Sequence, residues 1–352
     1  MSAENSKLRG KQSICFEHPP VIISAASISG KKEGEGPLGA YFDVVETDPM
    51  FGQNTWEEAE SKMLGMAVDT VIHKSGLKRE EIRYLVGGDL LGQLIATSFG
   101  IENFEIPLIG VYGACSTMGE SMIVASMLVE GGFAEHTLAI TSSHFAGAEK
   151  QFRFPLAYGN QRPLAASWTV TGSGAVIIGK KMKKGSAFEK EFSPVEIQIS
   201  GMTVGKIVDY GLKDSMNMGA CMAPAACATI AQNLKDFNRQ PGYYDKIITG
   251  DLGMVGRDIL LEMLRNEGYD ISSNYMDCGI EIFDPESQDT HAGGSGCGCS
   301  AITLCGYILQ KMRKKEWNRI LFIPTGALLS TVSYNEGQSV PGIAHAVIIE
   351  AN

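Results

Sequence analysis

A single cysteine, Cys115, sits in the stretch VYGACSTMGESM (111–122), on a bend of small residues just ahead of a helical pattern. A thiol at a helix start meets exposed amide hydrogens and the positive end of the helix dipole, which favour the thiolate and hence nucleophilic chemistry. The small neighbours Gly113, Ala114, Ser116 and Gly119 let a ligand or another backbone approach closely. Free cysteine is also among the most buried residue types, so a packing thiol is the competing reading. Nearby groups widen the chemistry. The bend at Gly294–Ser300 is a second glycine-lined helix start, and Ser116, Thr117 and Ser295 add hydroxyls. Asp89 and Asp251 each end a strand-like run, where a carboxylate either caps the next helix or faces a ligand. Of six histidines, His144 and His291 fall on candidate site loops, whereas His18, His73 and His136 read as surface and His345 as a hydrogen-bonded core or edge residue. Cys297 and Cys299 form a Cys-x-Cys pair without a second pair at zinc-finger spacing, and no metal site is expected.

These groups are positioned by a pattern that occurs twice. A helical segment from Glu57 to Leu77 leads into EIRYLVGGDL (81–90), and APAACATIAQNLKDF (223–237) leads into DKIITGDL (245–252). A glycine bend and helix follow each (113–132 and 293–312), then a strand ending in small polar residues (136–144 and 318–330). GAVIIGK (174–180) and HAVIIEA (345–351) close the halves. Four features in one order point to an internal duplication. Alternating strands and helices predict mainly parallel sheets covered by helices, with binding groups at the carboxyl ends of the strands. The polar run MKKGSAFEKEFS marks a surface connection, dividing the chain into residues 1–185, carrying Cys115, and 186–352, carrying His291.

Bulk properties exclude some classes. The 352 residues are 44% hydrophobic and 20% charged, ordinary for a globular protein, and no apolar run approaches the roughly 20 residues that span a bilayer. The polar N-terminus lacks an apolar signal core, which predicts folding in the reducing cytoplasm with the eight cysteines as thiols. A formal charge of −10 disfavours nucleic acid as a partner.

The duplicated topology, with GACST at the first bend, GSGCGCSA (294–301) at the second and TGALLS (325–330) as a late glycine loop, resembles the thiolase superfamily, including the β-ketoacyl synthases, over almost the whole chain. The resemblance implies an α/β thiolase-like fold, two duplicated halves in a five-layer α-β-α-β-α arrangement. It puts Cys115 at the nucleophile position and His291 at the second-half His or Asn position. The amides of Cys115 and Gly326 would then form an oxyanion hole. It departs from the family at IITGDLGMVG (247–256), which has no histidine where ketoacyl synthases carry one, and Asp251 there would repel a developing oxyanion. The chain is therefore expected to bind rather than to catalyse, with acyl transfer through Cys115 as the alternative.

The phrases TGDLG, NMGACMAPAACATI, KQFRFPLAYGNQRPLAASWTVTGSGA and PTGALLS together resemble a sporulation branch of that superfamily. That branch implies a ligand, dipicolinic acid, and the candidate residues for holding it are Asp89, Cys115, Ser116, Thr117, His144, His291, Ser295 and Gly326. It implies no cofactor, with calcium only as a counter-ion of the ligand. It also implies a homodimer working with other SpoVA proteins, peripheral to the inner spore membrane. The aromatic and basic segment 150–168, with Arg153 and Arg162, reads as a dimer interface or as a lid whose arginine pairs with a ligand carboxylate.

Overall fold

The computed structural model describes residues 7–152, 162–180 and 195–352. The main path of the sheet takes five strands from the first half: β1 (Val21–Gly30), β2 (Tyr84–Asp89), β3 (Leu108–Gly110), β4 (His136–Ser143) and β5 (Gly172–Gly179). Five come from the second: β6 (Ile197–Thr203), β7 (Lys246–Thr249), β8 (Tyr275–Asp277), β9 (Arg319–Ile323) and β10 (Ala346–Ala351). Their order in space is β8-β7-β9-β10-β6-β1-β5-β4-β2-β3. Each half, numbered from its own first strand, thus runs third, second, fourth, fifth, first. The halves join along β6, where Gln198 pairs with Val21 of β1 and Gly201, Met202 and Thr203 pair with the short strand Ser13–Cys15.

The repeat extends to strand direction. The second, third and fourth strands of each half pair in parallel, while the fifth runs antiparallel to both its neighbours. The expectation of mainly parallel sheets is corrected here: half of these pairings are antiparallel. The reason lies in the closing strands, which among the described residues return with no covering helix of the length that parallel crossovers use.

Helix α1 (Trp56–Ser75) begins at a capping box between Thr55 and Glu58 and ends at Gly76, whose φ of 68° is left-handed and cheap only for glycine. It covers the outer face of the first half, with α2 (Ile95–Ile101) beside it. Helices α5 (Met218–Asp236) and α6 (Gly253–Asn266) cover the outer face of the second. Between the two halves of the sheet lie α3 (Thr117–Glu130) and α7, which starts at Cys297–Ile302 and continues through a π-helical turn to Arg313. The result is five layers.

The shared tetrapeptide AVII explains how one strand serves two cores. Val176 and Ile178 point into the central core while Ala175 and Ile177 point outward, and Val347, Ile349, Ala346 and Ile348 divide in the same way. Side chains alternate faces along a strand, so a strand buried on both sides must be apolar throughout. Each buried Val or Ile contributes about 1.5–3 kcal/mol. The boundary at 185/186 lies in residues 181–194, outside the described residues.

Candidate functional site

Cys115 lies at the centre of the molecule, one residue after Ala114, whose φ of 52° is unusual for a residue with a Cβ. That bend is stapled from within. Ser116 Oγ donates to Gly113 O at 2.8 Å, Thr117 Oγ1 donates to Ala114 O at 2.7 Å, and Gly113 N donates to Thr117 Oγ1 at 3.2 Å. Ser116 and Thr117, expected to offer hydroxyls to a ligand, use them on the backbone and hold the bend instead.

The thiol borders a small hollow, about 30 Å³, between the halves. Leu90, Tyr112 and Ala114 wall it from the first half together with α4 (Phe145–Phe152), which contributes Ala148, Glu149 and Phe152. Met218, Ser295, Ala327 and Leu329 wall it from the second. The two helix starts therefore do meet across a shared space. Ser295 is on its wall as expected.

Asp251 is not on the wall of this hollow but lies directly behind it, bonded to two residues that are, Cys115 and Ser295. Its carboxylate accepts hydrogen bonds from Ser295 Oγ at 3.1 Å, Gly296 N at 2.9 Å and Thr325 Oγ1 at 2.8 Å, and the Cys115 thiol also bonds to it. Gly296 reaches this position with φ at 99°, and a Cβ there would stand 2.7 Å from Ser143 Oγ, so glycine is required. Burial raises the Asp251 pKa to about 6 against the pull of those donors. The Cys115 pKa is also raised, well above the usual thiol value, first by burial and then by Asp251 and Cys297. This corrects the expectation of a thiolate favoured by the helix dipole. A partial charge at a helix end is outweighed by desolvation and by a carboxylate in contact.

Other expected site residues lie elsewhere. Asp89 is fully buried and accepts from Leu91 N at 2.9 Å, Thr97 N at 2.7 Å and Thr97 Oγ1 at 2.5 Å, so it ties down the start of α2 and does not face the hollow. His144 donates from Nε2 to Pro49 O at 2.8 Å and packs beside Trp56, and burial lowers its pKa. His291 uses its ring nitrogens on Pro163 O at 3.0 Å and Asp289 Oδ1 at 3.1 Å. Neither histidine is on the wall of the hollow. Both were placed by loop position, and a loop residue's direction is set by contacts that sequence spacing does not reveal. His345 is hydrogen-bonded in the core as expected, between Gly205 N and Glu120 Oε1, each at 3.1 Å.

Gly326 also moves. It packs against the cysteine bend so closely that a Cβ would meet Gly113 O at 2.1 Å. Its ladder, 325–327 against 342–344, has its phase fixed by Leu328 N to Pro341 O and His345 N to Pro324 O. In that phase Gly326 is in register to bond Ile343, and Ala327 faces Gly342 without bonding it. Gly342 is turned the other way, exchanging both bonds with Val208. The amide directed away from the ladder is thus that of Ala327, which walls the hollow. Sequence reasoning missed Ala327 because the phase of a two-strand ladder leaves no local signal.

Residues 153–161, with Arg153, lie outside the described residues. Arg162 does not act as a lid over the hollow: its guanidinium binds Asp289 at O (2.8 Å) and Oδ2 (3.1 Å) and lies over the Trp168 ring at 4.8 Å. Among the described residues no helix is long and apolar enough to cross a membrane.

A family model described as stage V sporulation protein AD matches residues 10–350. The stage V sporulation protein AD of Bacillus subtilis (strain 168) is 43% identical over 344 residues, covering 98% of each chain. Among solved structures, 3-oxoacyl-[acyl-carrier-protein] synthase III from Aquifex aeolicus VF5 superposes with a TM-score of 0.54 at 12% identity, over 94% of this chain and 99% of that one. AbyA1, a tetronic acid condensing enzyme, gives 0.57 at 14% identity over the same shares. At such identities the structural likeness establishes the fold, a thiolase-like one, and nothing further.

Proposed function

The chain belongs to the stage V sporulation protein AD family, and on that premise we propose that it serves sporulation by binding dipicolinic acid rather than by transferring acyl groups. One observation carries the choice between binding and catalysis. The Cys115 thiol faces a carboxylate, Asp251, and none of the described residues lining its hollow is a histidine. Nucleophilic catalysis needs a base that takes the thiol proton and donors that stabilise an oxyanion, whereas a carboxylate with a raised thiol beside it opposes both steps. The same groups suit recognition. The thiol, the Ser295 hydroxyl and the Ala327 amide are donors in a hollow whose remaining described lining is mostly apolar, with Tyr112, Glu149 and Thr169 as its other polar members, and a small flat acid needs such donors beside an apolar surface.

The hollow, about 30 Å³, is an order of magnitude below the roughly 300 Å³ and upward of small-molecule sites, so binding must open it. Side chains that can swing without breaking a sheet are Phe152 at the end of α4, Met218 at the start of α5, and Leu329. Calorimetric titration with dipicolinate, with and without calcium, tests the proposal. Millimolar or tighter binding, about −4 kcal/mol or better, is expected, and a flat titration under both conditions overturns it.

A second reading, acyl transfer through Cys115, draws support from the strained residue before the thiol at the start of α3. Incubation with acyl-coenzyme A followed by intact-mass measurement separates the two, because only this reading gives an adduct that Cys115→Ala abolishes. The remaining parts of the proposal are a homodimer and association with other SpoVA proteins at the inner spore membrane. Supporting the dimer, β3 is the outermost strand of its half, and Phe99, Leu108 and Tyr112 are exposed beside it.

A further inference from the structure

Among the described residues, the lining of the Cys115 hollow carries no positive charge. The titratable groups facing Asp251 are Cys115 from the bend before α3, Asp277 at the end of β8, Cys278 just after it, and Cys297 and Cys299 in α7. Glu149 of α4 borders the same space. All are acids or thiols, and none of the described lining residues is Lys, Arg or His. Without a ligand, the ionised Asp251 is satisfied by three oxygen-bound or nitrogen-bound hydrogens and the thiol. A ligand carboxylate entering between Cys115 and Ser295 competes for two of those four donors. It also puts a second negative charge beside the first in a desolvated space, where two carboxylates in contact are stable only when they share a proton or a cation.

We propose that Asp251 takes up a proton from solvent when a carboxylate ligand enters this hollow, so that the site binds its anion together with one proton. The protonated Asp251 then donates to the ligand carboxylate, and Gly296 N on Oδ2 and Thr325 Oγ1 on Oδ1, which stay with the protein, keep the carboxyl group oriented. Protonation is accessible because burial already holds this carboxyl at about 6, whereas an ordinary Asp would resist it at neutral pH. A ligand arriving as a neutral calcium chelate brings its own positive charge and takes up no proton. The inference rests on reading the hollow as an anion-binding site.

The test is calorimetry with free dipicolinate at pH 7.5 in phosphate and in Tris, buffers that differ widely in ionisation enthalpy. The expected result is a buffer-dependent heat equal to uptake of close to one proton, and an affinity that falls about tenfold per pH unit between pH 7 and 8.5. Asp251→Asn is expected to remove both dependences. Thr325→Val, which deletes one bond favouring the ionised carboxylate, is a gentler variant and is expected to reduce the uptake. Heat that is the same in both buffers for the parent protein overturns this inference while leaving dipicolinate binding intact. Buffer-dependent uptake that persists in a folded Asp251→Asn protein overturns it as well. No binding in either buffer overturns the proposed function and this inference together.

Discussion

Gly88-Asp89-Leu90 and Gly250-Asp251-Leu252 end equivalent strands of the two halves, yet their carboxylates do opposite work. Asp89 accepts from Leu91 and Thr97 and secures the helix that follows its own strand. Asp251 turns inward to Ser295, Gly296, Thr325 and Cys115. The securing role in the second half has passed to Asp277, at the end of the neighbouring strand β8, which accepts from Leu252 N, Gly253 N, Ile280 N and Thr249 Oγ1. A duplicated position is free to acquire a new use once another residue satisfies the helix-start amides it formerly faced, because those donors cannot be left buried and unpaired.

The comparison breaks most visibly at Asp277. Asp277→Ala removes the acceptor of the Leu252, Gly253 and Ile280 amides and is expected to cost about 3–5 kcal/mol, read as a lower denaturant midpoint with an unchanged slope. Such a loss would be absent if Asp251 shared the securing role.

Asparagine sharpens the contrast at the two repeat positions. At 89 both carboxylate oxygens accept from backbone N–H groups, so either orientation of an amide turns its NH2 against a donor that cannot reverse; Asp89→Asn is expected to cost about 1–3 kcal/mol. At 251 the backbone donor Gly296 N is on Oδ2 while Oδ1 accepts from the Thr325 hydroxyl, which can rotate to accept, and Asp251→Asn is expected to stay within about 1 kcal/mol at pH 4. The pH dependence adds a second axis. With a folded pKa of about 6 against an ordinary 3.8, Asp251 binds more proton in the folded state between those values. Stability from this group is therefore full below pH 4 and lost as pH rises through 6, by about 3 kcal/mol. Thermal unfolding of Asp251→Asn across pH 4–7 should lose that part of the slope.

The smallest effect expected is at His291. His291→Ala, remote from the hollow, should leave dipicolinate affinity within about twofold by calorimetry, and a tenfold loss would return this residue to the site.

Much of this was legible in the sequence because it depends on local pattern. Apolar periodicity marked the strands and helices, GDL and AVII marked the duplication, and the glycine bend marked the thiol that, among the described residues, meets the hollow. The missing histidine at TGDLG likewise stands in the structure as a carboxylate beside the thiol. What the chain could not declare was direction. Whether Asp89 or Asp251 faces the centre depends on Asp277, 26 residues beyond Asp251 and on another strand, and whether Gly326 or Ala327 offers its amide depends on a ladder partner. The pKa of Cys115 followed the same rule. A helix start predicts a lowered value from three or four neighbouring residues, but burial between two halves and contact with a carboxylate from the other half raise it. Composition and period, carried by neighbours in the chain, determined the elements and their repeat; the orientation and charge state of each site group arise from residues far apart in sequence, and only packing the two halves together decided them.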